Sequence, residues 1–392
     1  MLKFQLVKKL RFIILFSVLF LLQQHLSAQI TSCQLRISVL TCSPADELYS
    51  TFGHTAIRVI DSSIHSDYVF NYGTFNFDDP DFYTKFVRGK LDYALSVAPY
   101  NEFILEYIAD KRTIYEQELI LTCEQKQTIA NALLSNLQGK NRYYKYDFLF
   151  DNCTTRVRDI IFHNVQSAQV KNPITPTGTT YRNMLYEYLD KGGKPWSKLG
   201  IDILLGSKTD KVVNIKQSMF LPEYLMKGVD SAVMKNNIHL ASYHKVLLQE
   251  TPPDTASWKY APLLFSIIIS TIIIILSFIK KNWATVATKI TDSFLLYTTG
   301  IVGILLVFMW FGTDHIVCRN NFNLFWALPS NFFAAFLIWK KREIMKRYYL
   351  AASVITALLL VTWFIIPQHL NIALFPLAFA GLIRYIKLYQ LQ

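Results

Sequence analysis

The chain has 392 residues, 52% of them hydrophobic and 15% aromatic, with a formal charge of +12. That length supports more than one domain. Once located, the charge excludes a nucleic-acid partner: the leader carries +4, the segments read as cytoplasmic carry +8, and the rest is near neutral. Five cysteines are too few for a disulfide scaffold.

Residues 1–28 read as an export signal, because Lys3, Lys8, Lys9 and Arg11 precede a charge-free apolar run from Phe12 to Leu22 and a small-residue exit at Ser27-Ala28. The mature chain then begins near Gln29, in an oxidising compartment. Ile30-Thr-Ser-Cys33 looks like a lipoprotein cleavage box, but the mostly polar residues between it and the apolar run argue against lipidation of Cys33. One disulfide, for instance Cys33 with Cys42, is expected to close, leaving at least one thiol free.

Apolar alternation over 34–40, 55–61, 68–75, 91–97 and 114–121 predicts five strands. Helices interrupt them: one over 100–111 after Pro99, one from the capping box Thr122-Cys-Glu-Gln125 to about Leu137, one beginning at Cys153 and one over 181–189. The mixture predicts an α+β domain over 29–250 and a turn-rich linker over 251–261. Apolar runs at 262–279, 294–311, 322–339, 349–366 and 371–386 predict a transmembrane domain of about five α-helical spans over 262–392. The loops at 280–293 and 340–348 hold most of its lysine and arginine, which assigns them to the cytoplasm and the α+β domain to the outside.

The chemistry concentrates where an aromatic strand turns into a helix, in Lys145-Tyr-Asp-Phe-Leu-Phe-Asp-Asn-Cys153-Thr-Thr-Arg156. Asn152 suits an N-cap, so Cys153 opens the helix, where unpaired N–H groups and the helix dipole favour a thiolate. A free cysteine in an aromatic setting is more often a packing residue. Here Asp151, Asn152, Thr154, Thr155, Arg156 and Arg158 make a polar neighbourhood that packing does not need. A base stands upstream in Tyr49-Ser-Thr-Phe-Gly-His54, where a histidine opens a strand, and the pair reads as nucleophile and general base. Asn71 and Tyr72 are the candidates to orient the imidazole, with a backbone carbonyl as the alternative. The oxyanion would be met by the N–H of Cys153 and a second donor from Asn152, Asp147 or Tyr146. No metal site is expected, since no ligand spacing surrounds His54, and no cofactor motif is present.

Two further segments admit two readings each. The aromatics of Tyr72-Gly-Thr-Phe-Asn-Phe77, Phe82-Tyr-Thr-Lys-Phe86 and Gly89-Lys-Leu-Asp-Tyr93 are either core packing or an apolar slot for an acyl chain. The loop containing Asp314, His315 and Asn321, between two expected spans, is either a solvated turn or a contact for substrate and lipid headgroup.

Thr41-Cys-Ser-Pro44, Tyr49-Ser-Thr-Phe-Gly-His-Thr-Ala-Ile-Arg-Val59, Asn71-Tyr-Gly-Thr-Phe75, the segment 86–91 and Tyr146-Asp-Phe-Leu-Phe-Asp-Asn-Cys-Thr-Thr-Arg156 together resemble the Lnb family of bacterial envelope proteins. The resemblance covers essentially the whole mature chain. It departs at Ala45, where a glycine is expected. It implies a papain-like periplasmic domain of the permuted NlpC/P60 type followed by a membrane domain in the bacterial inner membrane. It further implies N-acylation of lipoproteins, with membrane phospholipid as acyl donor, lipoproteins as acceptors, and Cys153 and His54 as nucleophile and base. The alternatives are a membrane-tethered NlpC/P60-like cysteine hydrolase of cell-wall peptides and a non-catalytic envelope assembly module.

Overall fold

The computed structural model describes residues 33–250, 257–338, 340 and 343–391. The expected export signal, the start near Gln29 and most of the expected linker lie outside them.

The N-terminal domain is built on strands Leu35–Cys42 (β1), His54–Asp61 (β2), Ser66–Thr74 (β3), Asp92–Pro99 (β4), Ile114–Glu118 (β5), Tyr143–Lys145 (β6) and Lys245–Leu248 (β9), in the order β6-β4-β3-β2-β1-β5-β9. Every pairing is antiparallel. Gln169–Val170 (β7) and Ala232–Val233 (β8) form a separate small ribbon. The five strands legible by alternation are all present. The two edge strands β6 and β9 are too short to show a period of two.

β1 is an inner strand, buried on both faces. Ile37 and Val39 pack with Leu133 of Cys123–Asn136 (α3), with Val157 and Ile161 of Cys153–Asn164 (α4) and with Leu225 of Pro222–Ser231 (α8). Leu40 and Cys42 pack on the other face against Phe103 and Tyr107 of Tyr100–Ala109 (α2). Burying such side chains contributes about 1.5–3 kcal/mol each, so helices on both faces hold the sheet rigid under α4. The expected box caps α3, with Gln125 N donating to Thr122 Oγ1 (3.2 Å) and Thr122 N to Gln125 Oε1 (3.0 Å). Four helices lacked a clear sequence signal: Phe82–Val87 (α1), Pro195–Leu204 (α6), the single turn Ile215–Ser218 (α7) and α8. Tyr181–Lys191 (α5) lies where expected.

One expectation is corrected here, and the departure at Ala45 is accommodated. Cys33 pairs with Cys123, Cα–Cα 5.4 Å, not with Cys42. The extended chain between residues 33 and 42 spans roughly 3.3 Å per residue, far beyond the reach of a disulfide. Ala45 needs no glycine, because it is absent from the positive-φ residues; its N–H donates to Ser50 O (3.1 Å).

The C-terminal region comprises Ala261–Leu276 (α9), Asn282–Phe311 (α10), Asn331–Leu337 (α11), Glu343–Thr362 (α12) and Leu374–Leu391 (α13). Among the described residues α10 and α12 are long and apolar enough to cross a membrane, and α9 is apolar but shorter. The segment 322–339, expected as a continuous span, is instead a 3-10 turn at Phe322–Phe325, then Pro329 and the seven-residue α11. Proline disfavours helix at the residue before it and supplies no N–H. The broken segment lies directly on Gly300 and Gly303 of α10, where an added Cβ would come within 2.1 Å of Phe332 N and Ala327 O. Asp292 and Arg384, counted among cytoplasmic charges by sequence, form a buried bidentate pair between α10 and α13, at 2.6 and 2.7 Å. Charges among apolar helices survive only with such a partner.

The two regions are joined by the segment after α10. Gly206 N donates to Val317 O (2.9 Å), Ser207 N donates to Asn320 O (3.1 Å), and Val317 and Cys318 share a core with Leu149, Tyr181 and Phe220.

Candidate active site

Asn152 caps α4 through its carbonyl oxygen, which accepts from Thr155 N (2.8 Å), while Thr155 Oγ1 accepts from Asn152 N (2.8 Å). Its amide group donates to Phe148 O (2.8 Å) and Phe220 O (3.0 Å). The buried cap therefore fastens the loop before α4 to the loop before α8, and Cys153 stands at the first helical position. Thr154 Oγ1 lies 3.1 Å from Thr55 Oγ1, which ties the helix start to β2 one residue beyond His54.

Burial alone would push the Cys153 thiol up. The charge and hydrogen bond of His54, the Thr55 backbone N–H and the Thr154 hydroxyl outweigh it and bring the thiol down to about 7. The reverse holds for His54: burial disfavours its cation, but the neighbouring thiolate raises its pKa above the ordinary histidine value. Asn71 Oδ1 lies 3.3 Å from His54 Nε2. An amide oxygen only accepts, so Nε2 donates its proton to Asn71, and Nδ1 is the ring nitrogen left to exchange a proton with the thiol. Cys42 is the internal control. It faces His54 in the strand register, yet it is buried against α2 and its thiol is pushed up to about 12.

Of the two orienting candidates, the fold brings only Asn71 to the histidine. Successive residues of β3 point to opposite faces, so Tyr72 enters the core, 2% exposed, where its hydroxyl accepts from Asn136 Nδ2 (2.7 Å). Two of the three oxyanion candidates are engaged elsewhere. Asn152 has both amide hydrogens committed to carbonyls. Asp147 accepts at Oδ1 from Leu149 N and Phe150 N, both 3.0 Å, and offers no hydrogen. Tyr146 remains beside the thiol, its ring 4.6 Å from that of Tyr93.

Two neighbours of the thiol escaped the sequence reading. Gly73 has φ +95°, and a Cβ there would lie 3.6 Å from Cys153 Cβ, 3.9 Å from the Tyr144 hydroxyl and 4.0 Å from Tyr146 Cε2. Its bare backbone keeps the space between thiol and phenol open. The Tyr144 hydroxyl is buried without a hydrogen-bond partner among the described residues, and the Arg156 guanidinium lies 3.9 Å from the centre of its ring. Arg156 is itself held by Asp151 at 2.5 and 2.7 Å. Burial and the adjacent thiolate keep both phenols protonated, able to donate. The available signal was the spacing of Tyr144 and Tyr146, which places two phenols on one face of a strand end.

The outer loop docks rather than facing an open site. Asn321 is buried and donates to Ile203 O (2.8 Å) and Leu204 O (3.1 Å). His315 Nε2 lies 3.1 Å from Phe86 O, and Asp314 N donates to Arg88 O (2.9 Å). These contacts tie the loop to the N-terminal domain and leave the Asp314 side chain exposed. Among the described residues no three His, Cys, Asp or Glu side chains come together as a metal site. What the arrangement provides is a thiolate at neutral pH, an imidazole to move its proton, and donors around an open space: the parts of covalent acyl chemistry.

Residues 22–187 match the family model of the Lnb N-terminal periplasmic domain, and residues 254–392 match that of the Lnb transmembrane domain. No curated protein and no solved structure matches the chain.

Proposed function

Because the chain belongs to the Lnb family, whose periplasmic and transmembrane domains it carries in that order, we propose that this membrane protein of lipoprotein biogenesis is a lipoprotein N-acyltransferase of the inner membrane. The observation that carries the reading is the contrast between two thiols flanking one histidine strand: Cys153 near 7 and Cys42 near 12. A cysteine at a helix start against an antiparallel sheet, with histidine on the strand and earlier in the chain, also suits a permuted papain-like enzyme.

The Cys153 thiolate attacks the ester carbonyl of a phospholipid. The carbonyl oxygen becomes an oxyanion, held by the Cys153 N–H and by the Tyr144 hydroxyl, which takes the role foreseen for Asn152 or Asp147. Collapse breaks the ester C–O bond, and the His54 imidazolium gives its proton to the departing lysophospholipid oxygen, leaving a thioester on Cys153. The α-amine of a diacylglyceryl-cysteine then attacks the thioester, His54 takes its proton, and the second oxyanion collapses to an amide and the free thiolate. Asn71 keeps the imidazole in the tautomer that serves both steps. The apolar segments, five in this reading, present both lipids beside the thiol.

Mass spectrometry of lipoprotein N-termini from cells with and without the protein tests the reaction. Loss of the N-acyl group with the gene, restored by the unaltered chain but not by Cys153→Ser, is expected. Restoration by Cys153→Ser would leave an assembly role, and cleavage of peptidoglycan fragments by the purified protein would point to a hydrolase.

A further inference from the structure

Helix α1 turns an apolar face outward. Tyr83, Phe86 and Val87, spaced i, i+3 and i+4, are 80%, 49% and 44% exposed, and Phe77 beside them is 68% exposed. Phe82, one turn before Phe86 and stacked against it at 6.1 Å, is buried and forms the inner edge of this face. The helix sits at the level where α10 ends. Arg88 O and Phe86 O take the contacts from Asp314 and His315, three and four residues beyond Phe311. Gly89 (φ +66°) permits the approach, since a Cβ there would lie 3.2 Å from His315 N. Lys85 is paired with Asp79 at 2.7 Å, so charge does not explain the patch.

From this face the rings run inward without a break. Phe77 contacts Phe82 (4.9 Å) and Phe75 (4.7 Å), Phe75 contacts Tyr93 (5.3 Å), and Tyr93 contacts Tyr146 (4.6 Å), whose edge borders Gly73 beside Cys153. A short amphipathic helix tied to the outer end of a membrane helix, with its aromatic residues exposed, has the composition of an element lying in the bilayer interface.

We infer that α1 lies in the outer-leaflet interface and that its aromatic face receives a phospholipid acyl chain and leads it along Phe77, Phe75 and Tyr93 to Cys153. The inference rests on the acyl-transfer reading for the destination of the chain, but the contact between α1 and lipid stands without it. The balanced charge implies selection by the chain and not by an anionic headgroup.

Full-length protein reconstituted in phosphatidylcholine vesicles with a trace of phosphatidylcholine carrying a diazirine in one acyl chain separates the two claims. Illumination is expected to label peptides within 75–90 as well as α9–α13; label confined to α9–α13 would overturn the inference. The combined variant Phe77→Ser, Tyr83→Ser, Phe86→Ser, which spares buried Phe82, should acylate Cys153 from long-chain phospholipid at least tenfold more slowly, while iodoacetamide alkylates it at the unaltered rate. Equal acylation of the two proteins would equally overturn it. Labelling of 75–90 in a protein whose Cys153 takes no acyl group would uphold the lipid contact and reject the transferase reading.

Discussion

Arg182, at the junction with the membrane domain, is 1% exposed and every nitrogen of its guanidinium is engaged: by Asp210 at 2.8 and 3.0 Å, Asp202 at 2.6 Å and Thr209 at 2.7 Å. Asp202 in turn accepts from Tyr186 and from Asn371 of the membrane domain, both at 2.8 Å. Around Cys153, Asn152, Thr154 and Thr155 are as deeply placed, yet among the described residues the buried Tyr144 hydroxyl is unpaired and Gly73 withholds the side chain that would fill the gap. A buried group without a partner costs about 1–3 kcal/mol. The Arg182 cluster is therefore complete within the fold, whereas the cluster at the thiol leaves a donor unused.

The largest effect should come from the thiol itself. Cys153→Ser is expected to lower lipoprotein N-acylation by about 10⁴-fold or more, with unchanged thermal unfolding, whereas Cys42→Ser and Cys318→Ser retain turnover. Activity in the Cys153 variant would erase the contrast. At the junction the cost should fall on stability: Asp202→Ala leaves Arg182 short of its counter-charge and should destabilise the protein by about 3–5 kcal/mol, read by thermal or denaturant unfolding, while the iodoacetamide reactivity of Cys153 in the folded fraction persists.

Tyr144→Phe sharpens the comparison most directly. If the hydroxyl waits for an oxyanion, its loss should slow thioester formation about 10²–10³-fold and leave the melting temperature unchanged or slightly raised, because no existing hydrogen bond is removed. A fall in stability with unchanged rate would assign it to packing.

The pH dependence follows from the thiol. Cys153 ionises near 7, so its alkylation rate should rise about tenfold per pH unit below that point and level off above it. His54→Ala removes the cation that favours the thiolate, and the midpoint should move up toward the ordinary thiol value of 9.0. An unmoved midpoint would dissolve the pair. The smallest effect is expected from Tyr72→Phe, which gives up one hydrogen bond to Asn136, about 0.5–1.5 kcal/mol, with acylation unchanged.

Most of the sheet was legible because its long strands alternate and its helices announce their caps: Thr122 with Gln125 at α3, Asn152 at α4. The short strands β6 and β9, and helices such as α1, whose apolar face is turned outward, carry too little periodic signal to be read alone. Reading 322–339 as one helix failed for a related reason. Apolar content measures affinity for an apolar environment, whereas the break at Pro329 and the close approach to Gly300 and Gly303 concern backbone geometry.

At the site, the sequence by itself determined what depends on chain neighbours: a cysteine at a helix start, a histidine opening a strand, and an apolar membrane region downstream. Tertiary structure alone decided what depends on residues brought together from afar. Strand facing chose Asn71 over Tyr72 for His54. The length of β1 sent Cys33 to Cys123. The docking of 312–321 made the loop of Asp314, His315 and Asn321 a bracket between domains. Tyr144 is a plain aromatic in the sequence, and only the fold, by burying its hydroxyl unpaired across Gly73 from the thiol, makes it a candidate for catalysis.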